Sequence, residues 1–213
     1  MRRGPVMLGV VVLVAGLTLL RAGSAEPWPS EDERQRLARG EVVYRVGAAP
    51  RDGIPVPGAR GGVAFVRVPT GPDPVWAILT APRGYPQIFP GLRSVEVLEE
   101  APAAWLMRTQ GKVGPFEFSY YTRYRIDAAE RLIAWRLDQT KDNDVFDDNW
   151  GWWRLVPEPG GTLVVHAMGS VPSSWQPLAG YFERRGIVRA LGALRDAAVS
   201  RPGAAVAPVG THP

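Results

Sequence analysis

Pro69–Pro90, PTGPDPVWAILTAPRGYPQIFP, decides how the rest of the chain is read. Pro72 and Pro74 stand where a helix can begin, because a proline in the first turn gives up no backbone hydrogen bond. Val75, Ile78 and Leu79 then form an apolar stripe at spacings of three and four from Val75, and Pro82 stops it. Tyr85, Ile88 and Phe89 make a second short stripe that ends on Pro90. Two small helices joined by a turn suit a chain that leaves one strand and crosses the end of a sheet before starting the next. Such a stretch carries architecture, and the function is expected in the space that it leaves open. A ligand entering that space is expected to pass beside the turn Ala81-Pro82-Arg83-Gly84.

Upstream, SEDERQRLARG (Ser30–Gly40) reads as a small helix with legible ends. Ser30 can cap, Glu33 can reach back to it, acids fill the first turn and Gly40 takes the exit. Strands are expected at Glu41–Val46 and Gly62–Val68, separated by an unpatterned Gly, Pro and Ala segment read as an insertion or flexible flap. Downstream the period changes from helical to alternating. Val95 and Val97 share one strand face, Trp105 and Met107 that of the next, with Glu99–Pro102 expected as the turn.

Phe116–Asp127 is the clearest strand. Its even positions, Phe116, Phe118, Tyr120, Thr122, Tyr124 and Ile126, form an aromatic row, and its odd positions are polar. Leu132–Leu137, Trp150–Val156 and Thr162–Met168 complete a meander of five or six strands, with Lys141–Asp148 read as a charged turn. Pro177–Ser200 is the longest helical pattern, apolar at Leu178, Tyr181, Phe182, Ile187, Leu191, Leu194 and Ala198. Its three internal glycines suggest close approach to a sheet, or room beside it. An antiparallel sheet must bury one face, and the terminal helix and the short pair are the elements able to cover it. A curved sheet cannot lie flush on a straight helix, so a cavity between them is expected.

The chain starts with Arg2 and Arg3, an apolar run from Val6 to Leu20, and Gly23-Ser24-Ala25 ahead of Glu26. This pattern predicts an exported protein, periplasmic or secreted, with a signal peptide cleaved after Ala25. The alternative is a retained N-terminal anchor, although the run is shorter than the ~20 apolar residues a spanning helix needs. With no cysteine, a lipobox anchor, disulfides and thiolate metal sites are excluded. Of 25 basic residues three lie in the leader, leaving 22 against 21 acids, so nothing points to nucleic acid.

Val75-Trp76-Ala77-Ile78-Leu79-Thr80, then Tyr85, then Phe89-Pro90-Gly91-Leu92, resembles the first helix pair of the START-like (SRPBCC) superfamily. Gly151-Trp152-Trp153-Arg154-Leu155-Val156-Pro157 followed by Gly160-Gly161-Thr162 is similar to that family's Gly-x-Trp-x-Leu-x-Pro strand and Gly-Gly-Thr turn. The match spans nearly all of residues 41–199, and the most similar branch is the coenzyme-Q-binding or polyketide-cyclase-like one. Ala81 stands where the family often has Asp, a lost cap or turn contact. The resemblance implies an α+β helix-grip fold, a curved antiparallel β-sheet wrapped around a long C-terminal α-helix. The expected division is a signal peptide over 1–25, a capped helix over 26–40, the START-like domain over 41–200 and a disordered tail over 201–213.

The candidate ligand-binding residues are Phe116, Phe118, Tyr120 and Tyr124 of the aromatic row, with Trp135, Trp153 and Phe182. Taken singly each could be ordinary core; for the set, the resemblance implies a pocket for a lipid, isoprenoid quinone or polyketide-like molecule. The expected partner is this hydrophobic small molecule, with peripheral membrane contact left open and oligomeric state unassigned. No cofactor and no metal is expected: no His-Glu-x-x-His spacing occurs, and Asp142, Asp144, Asp147 and Asp148 lack the Gly and Glu of an EF-hand loop. They read as solvated turn acids. His166 reads as a strand histidine with a simple hydrogen-bond role, since no Gly-x-Ser-x-Gly elbow is present. No catalytic residue is assigned. The alternative is a cyclase or dehydratase in which Tyr120, Tyr124, Arg136 and His166 act on a polyketide, with Arg136 stabilising an enolate. Arg136 alternates with Trp135, so it belongs to the opposite strand face.

Overall fold

The computed structural model describes residues 28–113, 116–173 and 179–201, so the expected leader and nearly all of the expected tail lie outside it. In chain order the elements are α1 (Glu31–Ala38), β1 (Val43–Val46), β2 (Arg60–Val68), α2 (Pro72–Leu79), a single 3₁₀ turn (Pro82–Gly84), and α3 (Tyr85–Ile88). There follow β3 (Leu92–Ala101), β4 (Ala104–Val113), β5 (Phe116–Asp127), β6 (Leu132–Leu137), β7 (Phe146–Glu158), β8 (Gly161–Pro172) and α4 (Ala179–Val199). The strands form one antiparallel sheet in the order β1-β2-β8-β7-β6-β5-β4-β3. Six strands, β3 to β8, run as a meander whose last member returns to β2. This is the α+β helix-grip architecture.

Strand alternation gives the sheet two faces with different work. On the concave face Ala64, Val66 and Val68 of β2 meet Ile187, Leu191, Leu194 and Ala198 of α4, and Val75, Ile78 and Leu79 of α2 join the same core. Each Leu or Ile removed from water there is worth about 1.5–3 kcal/mol. On the convex face Leu37 of α1 covers Val43, Phe65, Leu163 and Val165. The capping box reads as its residues suggest: Ser30 Oγ accepts from Glu33 N at 3.3 Å, and Glu33 Oε2 accepts from Ser30 N at 2.7 Å. Arg45 of β1 pairs with the same Glu33 and donates to the Trp28 carbonyl, which fixes α1 to the sheet.

The stretch from Pro69 to Pro90 is stitched at its middle. Thr80 Oγ1 donates to the Trp76 carbonyl at 2.8 Å and Tyr85 Oη donates to the Leu79 carbonyl at 2.6 Å. The Leu79 carbonyl is one of the acceptors that a helix leaves unmet in its last turn, whereas the Trp76 carbonyl also accepts from Thr80 N at 2.8 Å.

Four expectations need correction. The segment after β1 is not a flap: Ala49 N donates to the Met168 carbonyl at 3.0 Å, Trp150 Nε1 donates to the Ala49 carbonyl at 2.9 Å, and Arg51 pairs with the buried Asp148 at 2.5 Å. Those long-range partners pin the segment on the convex face. Glu99, Glu100 and Ala101 continue β3, because a bulge between Val97 and Glu99 resets the alternation and leaves only Pro102-Ala103 to turn. Phe146–Asn149 belong to β7, and the residues before them run along β5: Tyr121 N donates to Asn143 Oδ1 and Ser119 N to Asp144 Oδ2, each at 2.8 Å. Finally, a Cβ at Gly186 or Gly192 would touch nothing within 4 Å, so of the two readings of these glycines close approach to the sheet falls and room beside the helix stands.

Candidate functional site: an aromatic wall under the terminal helix

Because β-strand side chains alternate, the even positions of β5 share the concave face with Ile133, Trp135 and Leu137 of β6, Trp153 of β7 and His166 of β8. Among the described residues the rings form two runs. Phe118 stacks on Tyr120 at 5.9 Å between centroids, and Tyr120 meets Phe146 edge-on at 5.5 Å. Tyr124 lies 6.2 Å from Trp105 and 6.3 Å from Trp135. Trp135 and Trp153 both stack on His166, at 5.3 and 3.9 Å, and Trp153 leads on to Phe89 at 6.5 Å. Phe118, Tyr120, Tyr124, Trp135 and Trp153 are all only half-buried, although they face the interior side of the sheet. A ring that faces inward yet keeps accessible surface borders open space.

Glycines make room for these rings. A Cβ at Gly111 would fall 2.2 Å from the Phe118 ring, and one at Gly151 would fall 2.3 Å from the Trp135 ring. Each aromatic lies flat across the bare backbone of the neighbouring strand, which keeps the wall smooth. Trp135 is further oriented by Nε1, which donates to Asn149 Oδ1 at 2.9 Å.

Five of the seven residues expected at the site, Phe118, Tyr120, Tyr124, Trp135 and Trp153, thus share one face. The side chains of Phe116 and Phe182 lie outside the described ones. Reading by sequence missed Phe89, Trp105 and Phe146; the first two were visible as an inward position of the α3 stripe and of β4, while Phe146 was hidden by the reading of its segment as a turn. Arg136 is on the convex face, exposed and paired with Asp52 at 3.1 Å, so no arginine stands beside Tyr120 and Tyr124 on β6. The four acids do not form a unit either: Asp148 is buried against Arg51, Asp144 binds β5, and among the described residues no group of His, Cys, Asp or Glu could hold a metal.

The wall is polar in places but uncharged. The concave positions of β5 to β8 from Phe118 to Ser170 hold aromatic and aliphatic residues, glycine, Thr122, Asn149, Thr162, His166 and Ser170, with no Asp, Glu, Lys or Arg. Burial raises the pKa of Tyr85, Tyr120 and Tyr124, and the neighbouring Tyr124 hydroxyl adds to the effect on the other two, so all three stay phenols. His166 is buried and burial pushes its pKa down to about 3, so the ring is neutral. Its Nδ1 has no hydrogen-bond partner, which corrects the reading of a simple hydrogen-bond role: the ring is held by stacking.

A hollow of about 330 Å³ on the convex side, lined by Arg34, Leu37, Arg67, Glu158 and Leu163 among others, is a weaker candidate. Glu158 already sits between its two arginines, at 3.4 and 4.0 Å.

Comparison with known families agrees with this geometry. The model of the family described as polyketide cyclase / dehydrase and lipid transport matches residues 68–194, more than half of the chain. The chain belongs to this family. Its START-like fold is shared with solved structures. The Zhui aromatase/cyclase from Streptomyces sp. R1128 superposes with a TM-score of 0.60 at 23% identity, covering 68% of this chain and 98% of that one. A STAR-related lipid transfer protein from Xanthomonas axonopodis gives 0.53 at 18%, covering 73% and 98%. A START superfamily protein from Mycobacterium smegmatis gives 0.54 at 18%, covering 63% and 93%. Comparison with curated proteins finds no match. At these identities the structural likeness speaks for the fold alone. What the START-like frame holds in this chain is therefore argued from its own wall.

Proposed function

We propose that this chain is an exported START-like protein that binds a hydrophobic small molecule, a lipid, isoprenoid quinone or polyketide-like compound, between the sheet and α4. The observation that carries the reading is the set of half-buried aromatic rings on the concave face, Phe118 and Tyr120 in one run and Tyr124, Trp135 and Trp153 in another that leads to Phe89. Half-buried rings in a concavity gain by covering an apolar ligand, at about 25 cal/mol per Å² removed from water. Family membership supports a binder of hydrophobic molecules. Export rests on the leader pattern alone.

Mass spectrometry tests both halves. Solvent extraction of the purified protein should release an apolar compound from the wild type and far less from the double variant Trp135→Ala, Trp153→Ala. Intact mass should place the first residue of the recovered chain at Glu26. An empty wild type whose wall takes up no apolar probe would sink the binding half, and a chain retaining its first 25 residues would sink the cleavage half.

A second reading, a cyclase or dehydratase, draws on the neighbouring phenols of Tyr120 and Tyr124. It has to work without Arg136, which faces away from them. It predicts turnover of a polyketide that collapses in Tyr120→Phe while folding survives.

A further inference from the structure

We propose that the site selects an uncharged ring compound bearing a hydroxyl group, and that His166 is the residue that reads this hydroxyl. The inference rests on the binding reading above and narrows its ligand class. Two independent observations carry it. First, the concave positions of β5 to β8 carry no charged side chain among the described residues, so a carboxylate or phosphate drawn over the wall would lose its hydration and gain no counter-ion from these strands. Second, the wall holds two buried polar atoms with no partner, Thr122 Oγ1 and His166 Nδ1, and of these His166 Nδ1 belongs to a ring that lies against the half-buried rings of Trp135 and Trp153.

The tautomer follows from that isolation. A neutral imidazole must carry its proton on one nitrogen, and an orphaned N–H is costlier to bury than a bare acceptor. The proton therefore sits on Nε2, and Nδ1 is an open acceptor. An acceptor left unpaired costs about 1–3 kcal/mol, and a ligand O–H that reaches Nδ1 beside the half-buried indoles supplies the partner that neither protein nor solvent does. Trp153 stacks on the imidazole at 3.9 Å and Trp135 lies beside both rings, at 5.3 and 6.5 Å, so the surface around His166 is aromatic: a planar ring adds to it, and a saturated chain does not. A methyl group in place of the hydroxyl would leave Nδ1 as it stands, so the discrimination follows the logic of a polar site that rejects the analogue lacking its partner.

Three matched probes separate these claims: 1-naphthol, 1-methylnaphthalene and 1-naphthoate, titrated by fluorescence into the full-length purified protein, His166→Phe and His166→Gln. The wild type should bind 1-naphthol at least tenfold more tightly than 1-naphthoate. The ratio of 1-naphthol to 1-methylnaphthalene affinity should fall about tenfold in His166→Phe, while 1-methylnaphthalene binding persists and reports an intact fold. In His166→Gln, which keeps an acceptor, the ratio should stay within about threefold of the wild type. An unchanged ratio in His166→Phe would overturn the role of His166 while leaving the binding reading standing. Naphthoate bound as tightly as naphthol would overturn the selection against charge. If no probe binds the wild type, the binding reading falls and this inference falls with it.

Discussion

His166 shows how a single residue can be legible by position and illegible by role. Its place on β8 followed from alternation, but its environment depends on Trp135 and Trp153, which arrive from two other strands. No local pattern announces that two indoles will meet one imidazole. The environment has a measurable consequence with a fixed sign. The folded ring has a pKa of about 3 against 6.5 for the ordinary group, so between those values the unfolded chain binds more protons than the folded one. Stability from this residue is complete above about pH 6.5 and is lost as pH falls towards 3, by about 1.4 kcal/mol per pH unit. Urea denaturation at a series of pH values should show this slope in the wild type and lack it in His166→Gln. Carboxylates titrate in both proteins and cancel in the difference, so parallel curves would contradict the buried neutral ring.

Elements were readable where one face or one cap decides them. The α1 capping box, the aromatic row of β5 and the buried stripe of α4 each follow from spacing within a dozen residues or fewer. Boundaries failed where a distant partner decides them. The Glu99 bulge resets β3, and the bends before Phe146 are held against β5 because Asn143 and Asp144 accept from its backbone. The segment after β1 looked loose because its anchors, Asp148, Trp150 and Met168, lie about a hundred residues away. The α4 glycines are a different case, since propensity argues against them and no contact compensates. Gly186 is exposed with space for a methyl group, so Gly186→Ala should raise stability by about 0.5–1 kcal/mol. A denaturant midpoint that moves downward would reveal a packing role for the glycine that its open surroundings do not suggest.

At the scale of the molecule, the sheet puts its tryptophans to two uses, and this division is what the account depends on. Trp105, Trp135 and Trp153 line the concave face, whereas Trp152 packs in the convex cluster under α1 and Trp150 lies over Gly169 and holds the segment after β1. The helix pair from Pro69 to Pro90 frames one end of the wall through Phe89, which lies against Trp153. Fold class, helix order and the wall's existence were legible from the chain because alternation and two short proline-limited helices leave few arrangements. The wall's lack of charge was legible too, but only once the pairing of β5 to β8 told which positions it comprises. Nuclear magnetic resonance of the indole N–H groups during titration with 1-naphthol tests the central claim most directly. Saturable shifts are expected at Trp135 and Trp153 with Trp150 and Trp152 unmoved; shifts at neither pair, or at the convex pair instead, would contradict a ligand bound on the concave wall.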